Sequence, residues 1–271
     1  MKLCICGKGG SGKSTIVCML AWTYKRKGRD VIVLDSDESN TSLAWMLGFT
    51  GPPKPLMDFI GGKKSVQEKM IARFSKGDDE PTMSIWEAEK ITSSSMPSNY
   101  IAVQDRLKLI STGKIHQALE GCACPMGTVT REFLKKFELA ADEIMLVDME
   151  AGLEHFGRGV ETSVDGVICV VEPSLESISL AEKVMNLTQS SGAVFAGAVL
   201  NKITSEAQKL QIIERLCDHD VRVIGTVWHQ DAIQAAGLNG RPVSVDFASA
   251  AFDDISDILL RGTSENKRAR G

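Results

Sequence analysis

Hydrophobic residues along this chain fall into short unbroken runs, separated by longer stretches where they recur every three or four positions. The unbroken runs lie near residues 3–6, 31–35, 107–111, 144–148, 166–171, 193–200 and 221–227. They are rich in Val, Ile and Leu with little polar alternation, the pattern of strands buried on both faces. The stretches 14–27, 175–189 and 207–216 carry apolar residues at helical spacing and predict amphipathic helices. Strand and helix alternate, which predicts a doubly wound α/β fold with a mostly parallel sheet flanked by helices. No internal repeat is visible.

Two regions break this rhythm. Residues 51–100 contain Pro52, Pro53, Pro55, Pro81 and Pro97, a Gly61-Gly62 turn and the run Ser93-Ser94-Ser95. An insertion of this length reads as a lid, a partner-binding segment or a mobile loop, with one short helix at 65–74. Residues 262–271 are polar and basic and read as a flexible tail. The expected organisation is a single domain over 1–261, with an insertion at about 51–100, followed by that tail.

Composition narrows the classes. Apolar residues at 43% and charged residues at 24% suit a globular protein whose core needs no disulfide support. A formal net charge of −4 speaks against non-specific nucleic-acid binding. No apolar run approaches the roughly 20 residues a spanning helix needs, no secretory leader is visible, and the tail lacks apolar residues for a membrane-lying helix. A cytoplasmic protein without a membrane anchor is expected. Seven cysteines, an odd number, fit reduced thiols with room for a metal site better than a disulfide framework.

The chemistry starts at Gly7-Lys8-Gly9-Gly10-Ser11-Gly12-Lys13-Ser14-Thr15. It contains the G-x-x-x-x-G-K-[ST] pattern between an apolar strand and a helix, the context the motif requires. The glycines let successive backbone N–H groups converge on an anion, and the helix start adds partial positive charge. ATP or ADP with Mg²⁺ is the expected ligand. Gly9, Gly10, Ser11, Gly12, Lys13, Ser14 and Thr15 would bind the nucleotide, with Lys13 on the β- and γ-phosphates and the Ser14 hydroxyl on Mg²⁺.

Lys8 is a second lysine that ordinary loops of this kind lack. With it, the loop resembles the deviant Walker A loop of the family that contains nitrogenase iron protein, the cell-division ATPase MinD, ParA partition proteins and arsenite-pump ATPases. The resemblance implies a homodimer in which Lys8 reaches the partner subunit's nucleotide phosphates; the bland alternative is a solvated loop lysine. It also implies that an acid after the second strand orients the attacking water. Asp37 fits that place best and is assigned to the Mg²⁺ shell as well. Asp35 is the runner-up, and both acids could instead cap the next helix. Asp148, after the strand at 144–148, reads as a Walker B acid holding Mg²⁺ through water, and Gly152 as a hinge that senses the γ-phosphate. Asn201 and Lys202 stand where similar ATPases meet the nucleotide base, although Asn201 also reads as a turn residue.

Cys122-Ala123-Cys124-Pro125 is the second distinctive feature. Pro125 suits the first turn of a helix, and a helix N-terminus favours the thiolate, the metal-binding form of cysteine. Two such pairs, one from each subunit, could hold Zn²⁺ or Ni²⁺, or less fittingly an iron–sulfur cluster. The alternative is two incidental thiols. Cys4-Ile5-Cys6 has the same spacing inside a strand, and Cys18, Cys169 and Cys217 read as small core residues.

Together with Asp148-Met149-Glu150-Ala151-Gly152-Leu153-Glu154-His155-Phe156-Gly157-Arg158-Gly159, these features look like the CooC-type ATPases. Those proteins mature the nickel–iron–sulfur cluster of carbon monoxide dehydrogenase. The resemblance implies a nickel-delivering homodimer with carbon monoxide dehydrogenase as client. His155 stands where nitrogenase iron protein-like reductases place a cluster cysteine, and no cysteine lies between Cys124 and Cys169. That departure counts against a four-iron reductase; His155 reads as a structural or switch residue, with an extra metal ligand or a partner contact as the alternatives. Rival readings are a maturation ATPase for acetyl-CoA synthase or another nickel enzyme, an electron-transfer reductase, and a positioning ATPase.

Overall fold

In the computed structural model of this chain, the described residues are 1–37, 40–75, 86, 88–113, 124–153, 156, 159–243 and 250–270, without the side chains of 70–75, 124 and 263–270. The strands are β1 (Lys2–Gly7), β2 (Asp30–Asp35), β3 (Ala102–Gln104), β4 (Leu107–Ser111), β5 (Glu143–Asp148), β6 (Gly166–Val171), β7 (Phe195–Ile203) and β8 (Val223–Trp228). They form one eight-stranded sheet in the order β3-β4-β2-β5-β1-β6-β7-β8. Neighbouring strands are parallel throughout, apart from the antiparallel β3–β4 pair at the edge. The doubly wound, mostly parallel fold expected from the sequence is therefore present.

Seven of the eight strands coincide with the unbroken apolar runs. β3 is the exception: it is three residues long, Val103 is 60% exposed, and no apolar run marks it. It is a short edge strand with only Ala102 packed against the core, so it needs no apolar pattern. β7 extends past the expected 193–200 to Ile203 and is irregular between Leu200 and Ile203. Asn201 and Lys202 consequently lie within an irregular strand end, with Lys202 at φ +60°, and not in a turn beyond it.

The helices are α1 (Lys13–Arg26), α2 (Leu43–Met46), α3 (Leu56–Phe59), α4 (Gly62–Ser75), α5 (Cys124–Lys136), α6 (Leu175–Ser190), α7 (Glu206–Cys217), α8 (Asp231–Leu238) and α9 (Ala250–Arg270). Side chains alternate across the sheet, as the pleat requires. Leu3, Ile5, Val31, Val33 and Leu146 pack with Ile16, Met19 and Leu20 of α1 and Phe252, Ile255 and Leu259 of α9. Cys4, Cys6, Ile32, Leu34 and Val147 point the other way, into a core shared with Val129 and Phe133 of α5, Phe137 just after it, and Ala181 and Val184 of α6. Cys4, Cys6, Cys18 and Cys169 are buried free thiols, as expected. Cys217 is not: it is exposed, a correction, because the turn of α7 that buries Ile212 and Leu216 leaves the next residue facing outward.

The described part of 51–100 is packed. Trp86 is 2% exposed, with its ring 5.4 Å from Phe133 and 5.7 Å from Phe59. Ile91 exchanges backbone hydrogen bonds with the end of α5 at Lys136 and Glu138. The expected helix at 65–74 is present as α4. At the other end, α9 runs through Arg270, into the stretch expected as a flexible tail. Among the described residues, no helix is long and apolar enough to cross a membrane.

Candidate nucleotide site

Because the central strands run parallel, the carboxyl ends of β1, β2, β5, β6 and β7 gather at one edge of the sheet, where open α/β folds place ligands. The loop from Gly7 to Gly12 leaves β1 there and enters α1. Gly12 precedes α1 at φ +95°, and a Cβ on it would lie 2.2 Å from Asn201 Nδ2, so no other residue fits without displacement. Gly12 brings no side chain to cap α1, and the first turn contains no acid. The leading N–H groups of α1 thus face the loop, an arrangement suited to phosphate.

Side chains brace the loop from three directions. Ser11 N donates to Lys8 O at 3.1 Å, and Asn201 Nδ2 donates to Ser11 O at 2.8 Å. The Lys202 ammonium donates to Gly10 O and pairs with Glu172 at 3.0 Å. Lys13 is buried, its Nζ 3.4 Å from Lys8 O. Gly152 N donates to Gly7 O at 3.3 Å, which ties the segment after β5 to the loop.

The buried half of the site centres on Asp148. Ser14 Oγ donates to its Oδ2 at 2.6 Å, and Asn40 Nδ2 donates to Ser14 Oγ at 2.7 Å. Asn40 N in turn donates to Asp37 Oδ1 at 3.3 Å, so Asp37 joins the same set. Burial pushes the Asp148 carboxyl up to about 7, helped by the nearby Asp35 charge, while the Ser14 hydrogen bond and the Lys13 charge oppose the rise. Its Oδ1 is buried with no hydrogen-bond partner among the described residues. An orphaned carboxylate oxygen beside a hydroxyl is an all-oxygen donor set, the kind Mg²⁺ prefers. The residues present fit that cation: Ser14 and Asp148 would hold it, with Asp37 close by.

The exposed half centres on Lys8. Its ammonium lies 2.8 Å from Glu176 and 3.4 Å from Glu172. The Glu176 hydrogen bond leads in raising the Lys8 pKa, with Glu172 adding to it. For Glu172, burial works upward, but Lys202 and Lys8 outweigh it and hold the carboxyl below its usual range. Beside Gly12 and Thr15, a cavity of about 500 Å³ opens between Met46, Asn201, Trp228, Ile233 and Leu238.

The structure therefore brings together Lys8, Gly9, Gly10, Ser11, Gly12, Lys13, Ser14, Thr15, Asp37, Asp148, Asn201 and Lys202. The Asn201 amide nitrogen is engaged with the loop itself. Cys122 and His155 lie outside the described residues, as does the side chain of Cys124, whose backbone opens α5. Among the described residues, no group of three or more His, Cys, Asp or Glu side chains is placed to hold a metal. Asn40, Glu172 and Glu176 went unrecognised in the sequence. Asn40 stands three residues after Asp37 with nothing in its spacing to mark it, and the two glutamates belong to none of the motifs in the sequence.

The chain matches the CobQ/CobB/MinD/ParA nucleotide binding domain over residues 3–243. It is 38% identical to an uncharacterised ATP-binding protein of Methanocaldococcus jannaschii, over 96% of this chain and 100% of that protein. It is 32% identical to the carbon monoxide dehydrogenase accessory protein CooC of Rhodospirillum rubrum, over 89% of this chain and 88% of that protein. The septum site-determining protein MinD of Pyrococcus horikoshii, solved with Mg-ADP, shares the fold at a TM-score of 0.65, covering 95% of each chain at 16% identity.

Proposed function

Because this chain belongs to the CobQ/CobB/MinD/ParA nucleotide-binding domain family, we propose that it hydrolyses ATP as a nucleotide-switched homodimer that serves the maturation of a nickel enzyme. The observation that carries the ATPase reading is the hydrogen bond of Ser14 to the buried Asp148, with one orphaned carboxylate oxygen, beneath an uncapped helix start. The backbone of Gly9 to Thr15 and the Lys13 ammonium bind the phosphates. Bound at Ser14 and Asp148, Mg²⁺ would offset phosphate charge. Asp37 accepts a hydrogen bond from the attacking water and so orients it. The base occupies the cavity lined by Trp228 and Asn201.

Lys8 reaches the partner subunit's phosphates once the dimer closes, which requires it to leave Glu172 and Glu176. A cation arriving there stabilises the charge that builds up on the transferring phosphoryl group. Cys122 and Cys124 of two subunits hold Ni²⁺ or Zn²⁺ as cargo, and the opening of the dimer links metal affinity to nucleotide state. The similarity to CooC supports carbon monoxide dehydrogenase as client.

The test combines ATP turnover, size exclusion and metal analysis of anaerobically purified protein with and without ATP. Turnover with ATP-dependent dimerisation, and about one metal per dimer that disappears in Cys122→Ala or Cys124→Ala, is the expected result. Undiminished metal in those variants would remove the metal reading. Normal turnover and dimerisation in Lys8→Ala would remove the cross-subunit role.

A further inference from the structure

Three hydroxyls meet in the core between the nucleotide site and α5. Ser36 follows β2 and precedes Asp37, Thr112 follows β4, and Thr130 lies in α5. The Ser36 and Thr130 hydroxyl oxygens are 2.9 Å apart, and those of Thr112 and Thr130 are 3.1 Å apart. All three residues are buried, Thr130 completely. Both strand ends are also fixed through their backbones: Ser36 N donates to Asp148 O at 3.0 Å, and Thr112 N donates to Asp35 O at 2.9 Å.

Packing alone does not call for a hydroxyl at position 130. The buried hydrophobic residues around it on α5 are Met126, Val129, Phe133 and Leu134, and a valine would fill the same volume. Threonine is also a mediocre helix former. A buried hydroxyl is costly unless bonded, and here each member of the trio meets the need of the next. The bonds therefore join the backbone beside Asp37 to a helix whose first residue is Cys124. Six residues of α-helix separate Cys124 from Thr130, an axial distance of about 9 Å. A helix of this length moves as a unit, so displacement at Thr130 is carried to its start.

We infer that Thr130 is a positioning residue, and that the Ser36–Thr130–Thr112 hydroxyl relay couples the segment carrying Asp37 to the helix that starts at Cys124. When the 36–37 backbone shifts with nucleotide, the Thr130 hydroxyl follows it or loses a buried partner, which is unfavourable. The position of the start of α5, at Cys124, is thereby made to depend on the nucleotide. This inference rests on the reading of Asp37 as a switch residue and of the cysteine pair as its output.

The test uses the full chain in a Cys217→Ser background, because Cys4, Cys6, Cys18 and Cys169 are buried. The modification rate of Cys122 and Cys124 by a chromogenic disulfide reagent is measured with Mg-ADP and with a non-hydrolysable ATP analogue. The two rates should differ by about fivefold or more, the usual size of a coupled response. Thr130→Ser should keep that difference and Thr130→Val should abolish it, with ADP affinity unchanged in both. A full difference in Thr130→Val overturns the relay and leaves the switch reading standing. Absence of any difference in the unsubstituted protein overturns the switch reading, and the relay with it. Ser36→Ala breaks the same link from the strand side; failure of both Thr130→Val and Ser36→Ala to fold would assign the hydroxyls to stability and also overturn the proposal.

Discussion

The phosphate loop divides the site into two halves of opposite physical character. On one side, Ser14, Asn40 and Asp148 form a hydrogen-bonded set around a carboxylate with no solvent exposure. On the other, the partly buried Lys8 bridges the mostly buried Glu172 and the open Glu176, whose side chain is 78% accessible. The Asp148 charge is shut away from water and strongly perturbed, whereas the Lys8–Glu176 pair opens to solvent and exchanges partners at little cost. Fixed geometry therefore belongs to the buried half and movement to the exposed half. That division suits a site that must bind one ligand firmly and then respond to a second subunit.

The largest expected effect tests the exposed half through chemistry and not through folding. Lys8→Ala should lower ATP turnover by about 10³-fold, the scale of a cation supplied across an interface. Its melting temperature should stay near the parent's, because exposed ion pairs contribute only about 0–1 kcal/mol. Turnover assays and a thermal melt on the same sample check both parts. A large loss of stability would show that the bracket is structural and would erase the contrast.

Gly12→Ala strikes the hinge between the halves. The methyl group would meet Asn201 at 2.2 Å on a backbone at φ +95°. Strain of about 1–3 kcal/mol at this one residue is expected to weaken nucleotide binding by about 10- to 100-fold. Calorimetric titration with ADP checks it.

Asp148→Asn sharpens the buried half through pH. The folded carboxyl titrates near 7, above the unfolded value of 3.8, so the folded chain without ligand holds a proton that the unfolded chain has lost. Stability of that form should fall as pH rises from about 4 to about 7 and level off above it. The asparagine variant removes this slope and should melt higher than the parent at pH 8, by a margin on the order of 2–4 kcal/mol. Its affinity for Mg-ATP should nevertheless drop, because the acid that meets the cation is gone. Denaturant melts at pH 5 and 8, with and without Mg-ATP, separate the two effects.

Glu176→Gln should do least. Loss of one exposed partner leaves Lys8 beside Glu172, and turnover should change by no more than about threefold. A change as large as that of Lys8→Ala would mean that the bracket itself takes part in the chemistry.

The contrast also explains how far the sequence could be read. The loop, Lys8, Lys13, Ser14 and Asp148 are legible because each is fixed by neighbours within a few residues on the chain. The central strands are legible because burial on both faces leaves a continuous apolar record. Asn40 and the Lys8 bracket are not, because contacts between distant segments create them: Lys8 and Glu172 stand 164 positions apart. The Ser36–Thr130 pair spans 94 positions and is equally silent in the sequence. β3 escapes notice because an exposed edge imposes no apolar pattern, and Cys217 because one further step around a helix reverses its surroundings.

Helix α9 sets a timetable for biosynthesis. It packs over α1, where Tyr24 Oη lies 3.5 Å from Ser256 O, Arg26 pairs with Asp253 at 2.6 Å, and Lys27 pairs with Asp257 at 2.5 Å. On a ribosome, the helix that starts at the phosphate loop is made well before α9, and its outer face stays uncovered until residues 250–259 emerge. Contacts of such long sequence separation slow folding and leave apolar surface waiting. The cover of the helix that begins at the phosphate loop is therefore completed late, by a segment translated long after that loop.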